Sequence, residues 1–372
     1  MNATFTVRKE VKSLTSFRFL AAAYVFLFHL DLRVSADGKA SFGSFISEGA
    51  VGMTMFFVLS GFILMHAYEG VEFDLRSFFW NRVARVYPVY ILAAVLALPW
   101  LAQNLAVEYS TQGAVFTVLI GVILLFSGLL LMQAWLPQTF PFWNNSASWS
   151  VSNEGFFYAA FPFLRDVLLG SPKRFLLVLL VFLSLTSSVV PVSALVFSNA
   201  PDSFSLFYAL PIYRIPEFVC GMIAYSLYRT TVISQRLLFG LSFLVLCGVL
   251  HVLFLAETLP GYTMHNWIFI PAICSSLVLL TYLESTGRGL FVSSPFIWLG
   301  RISYCFYSFQ FHVLEGVRWL FPIAEFGALF YSVLSTVVLI CIAGAVHHLF
   351  EEPCRVFIRR SRLVHGTRGE HA

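Results

Sequence analysis

Eleven apolar runs recur along this chain, at about 14–32, 49–68, 86–103, 113–134, 152–169, 175–197, 206–228, 237–256, 267–283, 296–320 and 327–350. Each is close to the ~20 residues that an α-helix needs to cross a hydrocarbon core. A backbone inside a bilayer must satisfy its own hydrogen bonds, and helices do so within one segment. The chain is therefore expected to be all-α, a polytopic integral membrane helical bundle. Composition agrees. Of 372 residues 59% are hydrophobic and only 11% charged, against about 25% charged in a soluble domain. The net charge of +4 is small. The only dense basic stretch, Arg355 to Arg362, closes the chain, so no nucleic-acid partner is expected.

Lys and Arg mark cytoplasmic loops. Here 18 of the 23 fall into six clusters, around Arg8–Lys12, Arg76–Arg85, Arg165–Arg174, Arg229–Arg236, Arg288–Arg301 and Arg355–Arg368. Both termini are basic and are expected in the cytoplasm, which requires an even number of crossings. The loops at 69–85 and 165–174 both read as cytoplasmic, yet three runs lie between them. One segment within 86–150 is then non-crossing or re-entrant, either 113–134 lying shallow or 135–149 folding back. About ten transmembrane helices remain, in one integral domain over 1–350 with a short basic cytoplasmic tail over 351–372. The N-terminus resembles a secretory signal, with a cleavage-like Val34-Ser35-Ala36. Cleavage there would discard Arg18 and His29, so retention is expected. Six cysteines (220, 247, 274, 305, 341 and 354) show no C-x-x-C and read as small apolar residues.

Several polar groups interrupt the apolar runs. Arg18 and His29 lie eleven residues apart in the first run. On a helix that places them within roughly 20° of one face and about 16 Å apart along the axis. Ionisable groups at membrane depth mark function by default. Arg18 reads as an anion anchor and His29 as a general base; an incidental Arg and a snorkelling His in a signal anchor is the structural alternative. Gly49, Gly52, Ser60 and Gly61 suit close helix packing. Arg82 and Arg85 share a helical face and suit a phosphate or pyrophosphate, or else serve as a topology signal. Between Phe140 and Tyr158 lies a polar, aromatic-flanked stretch. Trp143, Asn145 and Trp149 suit sugar recognition, Ser152 or Asn153 a helix cap, and Glu154 support of the His29 imidazole; an interfacial aromatic belt is the alternative. Arg214 and Glu217 are expected to pair at depth, for structure or for binding. Ser303, Tyr304, Tyr307 and Gln310 form a polar stripe. His347 and His348 read as interfacial, because no third metal ligand is near in sequence; His66, His251 and His265 read as loop or interface residues.

Taken together these segments resemble the acyltransferase family 3 of membrane O-acyltransferases. The resemblance runs almost end to end. It rests on R-x10-H (Arg18, His29), F-F-V-L-S-G-F (Phe56 to Phe62), R-x-x-R-x-x-P (Arg82, Arg85, Pro88) and W-S-V-S-N-E-x-x-F-Y (Trp149 to Tyr158). R-x-x-E-F-x-x-G (Arg214 to Gly221), L-G-R-I-S-Y-x-x-Y (Leu299 to Tyr307) and E-E-P-C-R (Glu351 to Arg355) complete it. The resemblance implies transfer of an acyl group, acetyl above all, from acyl-CoA as co-substrate to a carbohydrate hydroxyl, with no cofactor held permanently and no metal. It implies catalytic His29 and Glu154, donor contacts from Arg18, Arg82 and Arg85, and acceptor contacts from Trp149, Asn153, Tyr158, Arg214, Glu217 and Tyr304. The implied setting is the cytoplasmic (inner) membrane, and the lipid bilayer is a partner. Two departures are visible: Thr54 stands where the family often has an acidic residue, and Gln310 where it often has His. Some members of the family carry a C-terminal esterase-like domain; only the short basic tail follows the last run here, so a single-module enzyme is expected. A transporter or flippase of a polar or polyprenyl-linked solute is the rival, as is an acyltransferase of a small glycoside or macrolide.

Overall fold

The computed structural model describes residues 10–38, 43–136, 148–196, 207–255 and 266–366. Its principal helices are α1 (Lys12–Ala36), α2 (Val51–Tyr68), α3 (Leu75–Leu96), α4 (Leu98–Gln112), α5 (Ala114–Leu129), α6 (Ser148–Gly170) and α7 (Lys173–Thr186). They continue with α8 (Pro211–Thr230), α9 (Gln235–Leu250), α10 (Asn266–Ser285), α11 (Ser294–Leu320), α12 (Ala328–Val346) and α13 (Glu352–Gly366). No strand occurs among the described residues. Among the described residues six stretches are long and apolar enough to cross a membrane: Lys12–Ala36, Val51–Tyr68, Lys173–Ser193, Gln235–Phe254, Asn266–Ser285 and Ala328–Arg360. The chain is a helical, multi-pass membrane protein. Its exposed faces fit that setting, with Val115, Phe239 and Val178 outward on α5, α9 and α7.

One segment within 86–150 is expected to be non-crossing or re-entrant; the described residues show a bend there, which fits a broken span as well as a re-entrant loop. α3 and α4 form one apolar pair bent by 53°. The bend has a local cause. Pro99 stands at the start of α4, and inside a continuous helix it would lack its N–H and clash with the carbonyl of Val95. The bend precedes both segments weighed from the sequence. Of these, 113–134 contains α5, a shorter apolar helix, and 137–147 lies outside the described residues, together with Trp143 and Asn145. The C-terminal boundary placed at 350 falls inside helical structure: α12 passes through a π-turn at His347–Glu351 into α13.

The chain packs as two compact units, each made of two segments. Unit 1 comprises Met1–Glu72 and Asn153–Arg301, unit 2 Phe73–Ser152 and Ile302–Ala372. In unit 1, glycines set how closely helices approach. A Cβ on Gly61 of α2 would lie 2.0 Å from the Phe218 carbonyl oxygen, and one on Gly221 of α8 only 1.8 Å from that of Val58. α1 runs against α2 in the same manner, with Gly52 on the Ala21 carbonyl and Val25. The close contacts assigned to small residues in the second run are thus real, and α8 supplies the reciprocal glycine.

Polar contacts fix the helix directions in unit 1. Glu69, just past α2, accepts from Tyr225 and Arg229 near the end of α8. Arg229 also donates to the Leu169 carbonyl near the end of α6 (3.5 Å). α2, α6 and α8 therefore run parallel. α1 begins at the end where α10 finishes, because the Glu284 carboxylate takes the Lys12 and Ser13 backbone N–H groups at 2.9 and 2.7 Å. Those N–H groups have no intrahelical acceptor.

In unit 2, Tyr90 of α3 donates to the Gly128 carbonyl of α5 (2.9 Å). Gln133 donates to the Tyr90 hydroxyl and to the Ser148 carbonyl. Tyr331 of α12 donates to the Leu314 carbonyl of α11 (3.0 Å).

Because Gly221 faces backbone rather than a flexible side chain, even Gly221→Ala forces the helices apart. It is expected to cost at least the ~1–3 kcal/mol typical of overpacking. Thermal unfolding of the detergent-purified protein measures this. An unchanged midpoint would show that the α2–α8 contact gives way easily.

Candidate active site

Seven of the expected site residues belong to unit 1 and four to unit 2. Arg18 and His29 lie on one uninterrupted helix, α1, so their three-turn spacing holds; both are half-buried. The His29 backbone carbonyl accepts from Arg33 at 3.0 Å, and its ring lies beside Phe28. No described residue hydrogen-bonds the imidazole. Glu154 instead accepts from the Tyr158 hydroxyl one turn along α6, and no hydrogen bond joins it to His29. The structure thus brings together Glu154 and Tyr158 from the expected set, but not Glu154 and His29.

The two residues proposed as caps lie inside α6, which already begins at Ser148. Ser152 bonds the Leu131 carbonyl and the Ala134 N–H. Asn153 is fully buried, with neither amide atom partnered.

Arg214 and Glu217 pair as expected, at 3.2 Å, with side chains 1% and 0% exposed. The guanidinium lies over the rings of Tyr208 (4.9 Å) and Phe57 (5.2 Å). Asn266 and Thr54 hydrogen-bond the carboxylate. Neither partnership was evident in the sequence: Thr54 stands out only as a departure from the family pattern, and Asn266 lies just before the run at 267–283. At the end of unit 1 where α1 begins there is a cavity of about 680 Å³, walled by His66, Tyr225, Tyr228, Arg229, Tyr282 and Glu284.

In unit 2, Arg82 stacks on Phe78 (5.7 Å), and Trp149 is half-buried. Arg85 pairs with Glu351 at 3.1 Å and lies over the Tyr304 ring at 5.8 Å. Tyr304 donates to the Val86 carbonyl (2.9 Å). The second carboxylate oxygen of Glu351 meets His347 Nδ1 at 2.7 Å and the Cys305 thiol at 3.2 Å.

This cluster corrects the interfacial reading of His347, which is buried. Cys305 and Glu351 lie 46 residues apart in the chain, and only the H-x3-E spacing of His347 and Glu351 hinted at it. The donor atoms of Cys305, His347 and Glu351 lie within 4.8 Å of one another, a set chemically able to hold zinc. Arg85 already lies on the carboxylate, which His347 and Cys305 also hydrogen-bond. Cys220 and Cys274 are buried as expected, whereas Cys247 and Cys341 are exposed. His265 lies outside the described residues; His66 and His251 belong to helical elements rather than loops.

A family model described as an acyltransferase domain matches residues 11–347. The chain belongs to acyltransferase family 3. It is an acyl-transferring enzyme, and this decides against the transporter reading. The chain is 28% identical to the acyltransferase MdmB of Streptomyces mycarofaciens, over 95% of this chain and 94% of that protein. It is 24% identical to a putative acetyltransferase of Acidianus two-tailed virus, over 71% of this chain and 73% of the viral protein. It is also 24% identical to the putative peptidoglycan O-acetyltransferase YrhL of Bacillus subtilis (strain 168), over 93% of this chain but only 55% of that relative. No solved structure matches the chain.

The R-x-x-R and E-E-P-C-R segments of this family chain, more than 260 residues apart, meet in the Arg85–Glu351 pair. Removing one member of a buried pair strands the other charge, at a cost of about 3–5 kcal/mol. Arg85 is a quarter exposed, so Glu351→Ala is expected near the lower bound, about 3 kcal/mol. Glu351→Gln, which keeps hydrogen-bonding atoms, is expected to lose less. Chemical denaturation of both variants checks the ranking.

Proposed function

We propose that this acyltransferase moves an acyl group, in the simplest case acetyl, from acyl-CoA to a hydroxyl of a carbohydrate such as a surface polysaccharide, lipopolysaccharide or exopolysaccharide. The observation that carries this reading is the placement of Arg18 and His29 on one face of the single helix α1, about 16 Å apart. An anion anchor and a base at that separation suit a long donor with its phosphates at one end and its thioester at the other. The His29 imidazole takes the proton of the acceptor hydroxyl as its oxygen attacks the thioester carbonyl. The carbon–sulfur bond breaks, and the CoA sulfur leaves as thiolate and recovers the proton from the imidazolium.

Arg18, Arg82 and Arg85 serve the donor phosphates. Glu351 holds one Nη of Arg85, and a guanidinium has further donors to offer. Support of the positive charge on His29 by Glu154 requires the carboxylate, which Tyr158 engages here, to turn to the imidazole when substrate is bound. Asn153, Tyr158, Arg214 and Glu217 of unit 1, and Trp149 and Tyr304 of unit 2, are each assigned to the acceptor. The relative named as a peptidoglycan O-acetyltransferase favours a carbohydrate hydroxyl as acceptor.

The proposed setting is the cytoplasmic membrane, with both termini in the cytoplasm. The six apolar stretches and the bent pair count as seven crossings. α6, α8 and α11, of 23, 20 and 27 residues, are also long enough at about 1.5 Å per residue, which brings the total to ten. The 680 Å³ cavity lies where the basic N-terminal segment enters α1, at the proposed cytoplasmic end, and its size suits a ligand of this class.

Radiolabelled acetyl-CoA offered to membranes with extracted surface glycans, and in parallel with small glycosides, tests the acceptor class. His29→Gln keeps size and hydrogen bonding but takes up no proton. Transfer is expected to fall about 10²–10⁴-fold with acyl-CoA binding retained, whereas Arg18→Ala should weaken donor binding first. Near-normal turnover in purified His29→Gln would move the base to another residue. For topology, a membrane-impermeant thiol reagent should reach Asp37→Cys from outside intact cells; protection of that site would invert the proposed orientation.

A further inference from the structure

Unit 1 contains a buried polar layer whose hydrogen bonds are incomplete. Asn153 of α6 is 0% exposed, and both its amide oxygen and its amide nitrogen are buried without a partner. Asn266, at the start of α10, is 2% exposed. Its nitrogen donates to Glu217, while its oxygen is buried and unpartnered. The helix register brings these groups to one depth. Phe157 of α6 stacks on Phe218 of α8 (5.0 Å) and meets Phe57 of α2 edge-on (5.1 Å). Phe57 also lies under the Arg214 guanidinium. Because α6 and α8 run parallel, one turn back from the stacked rings places Asn153 at the level of Arg214. Thr54, Glu217 and Asn266 are joined at that level by hydrogen bonds to the carboxylate.

The layer also has a defined depth along α1. Gly49 of the chain entering α2 abuts Tyr24 and Phe28, and Gly52 abuts Ala21 and Val25. Thr54 is therefore level with the neighbourhood of Ala21, between Arg18 and His29. A donor stretched from the first to the second passes this depth.

We propose that this layer is a binding subsite for an uncharged group that both donates and accepts hydrogen bonds, with Asn153 and Asn266 as its contact residues. The charge state follows from the partners. Arg214 and Glu217 face each other as an ion pair, and Asn266 and Thr54 hydrogen-bond the carboxylate, so the layer holds no unbalanced charge to attract a charged ligand. Beside the ion pair it offers one amide nitrogen as donor and two amide oxygens as acceptors. Two components of the proposed reaction carry matching groups: the hydroxyls of the carbohydrate acceptor and the amides of the donor's pantetheine arm. The assignment of the ligand to one of these parents rests on the acyl-CoA reading; the polar layer itself does not.

The test uses the full-length protein in detergent, with acetyl-CoA as donor and methyl glycosides as acceptors. Asn153→Leu is near-isosteric and removes both orphaned atoms, so the empty protein is expected to be as stable as before or more so. The constant for the occupant should rise tenfold or more, because the Asn266 oxygen stays behind without its share of the ligand. If the occupant is the acceptor, its KM rises and CoA affinity is unchanged. If it is the pantetheine arm, CoA affinity falls while that of adenosine 3′,5′-bisphosphate, which lacks the arm, is unchanged. A raised Tm with both constants within twofold of the parent would overturn the subsite and leave a buried water as the layer's occupant. Should Asn153→Leu fail to fold, the shorter and polar Asn153→Ser is read by the same constants and the same criteria. Absence of CoA binding and of transfer in the unsubstituted protein would instead overturn the functional reading, leaving the layer to be probed by glycoside binding to the parent and Asn153→Leu proteins.

Discussion

Two opposite charges three residues apart on one helix, Arg214 and Glu217, impose more on unit 1 than any other pair. In a low-dielectric interior neither is tolerable alone, and the pair is tolerable only when its remaining hydrogen-bonding capacity is met. Part of that capacity is met, and much of unit 1 is packed around the pair. Thr54 and Asn266 close the carboxylate, while Phe57 and Tyr208 cover the guanidinium. Such a shell forms only if α2 lies almost backbone to backbone with α8, and this is what Gly61 and Gly221 permit. The glycines and the ion pair are two parts of one requirement, since a bulkier residue at the first would hold Thr54 and Phe57 away from the second.

Much of this was legible in the sequence, for identifiable reasons. Apolar run length reports helices directly, because the bilayer leaves the backbone few other options. Arg18 and His29 kept their relation because eleven residues inside an unbroken run translate into turns without tertiary information. Pairing of Arg214 with Glu217 followed from the same i, i+3 argument. Small residues announced a close contact but not its partner, since the reciprocal glycine lies in another run. The bend before Pro99 lies inside the run 86–103, where apolar run length alone does not separate two helices from one; the proline is the local signal for it.

What was illegible depended on long-range contacts. Glu351 was known only as part of E-E-P-C-R, and nothing local told that its carboxylate would receive Arg85, His347 and Cys305 together. His347 looked interfacial because a ligand search along the sequence finds neighbours in number rather than in space. Ser152 reads as a helix cap from its position before an apolar run. In the structure it bonds the segment around Ala134 instead. Short polar side chains near a helix start have several acceptors within reach, and tertiary packing selects among them.

The two arginine sites also differ in how the protein holds them, and that difference bears on their chemistry. Arg214 is sealed between rings and a carboxylate with 1% of its side chain exposed, whereas Arg85 keeps a quarter of its side chain exposed over Tyr304. A guanidinium with an open edge is suited to bind a diffusible anion, since the ligand has only part of its hydration to displace. A sealed one is suited to fix the shape of its surroundings. Under the proposed function this suits Arg85 to the donor, while Arg214 would serve the acceptor by holding the layer in which Asn153 and Asn266 keep their amide atoms in place. Preorganised polar groups in a water-poor site bind without first giving up hydration. The same ion pair that constrains the packing of unit 1 thereby keeps those amide atoms oriented for a substrate.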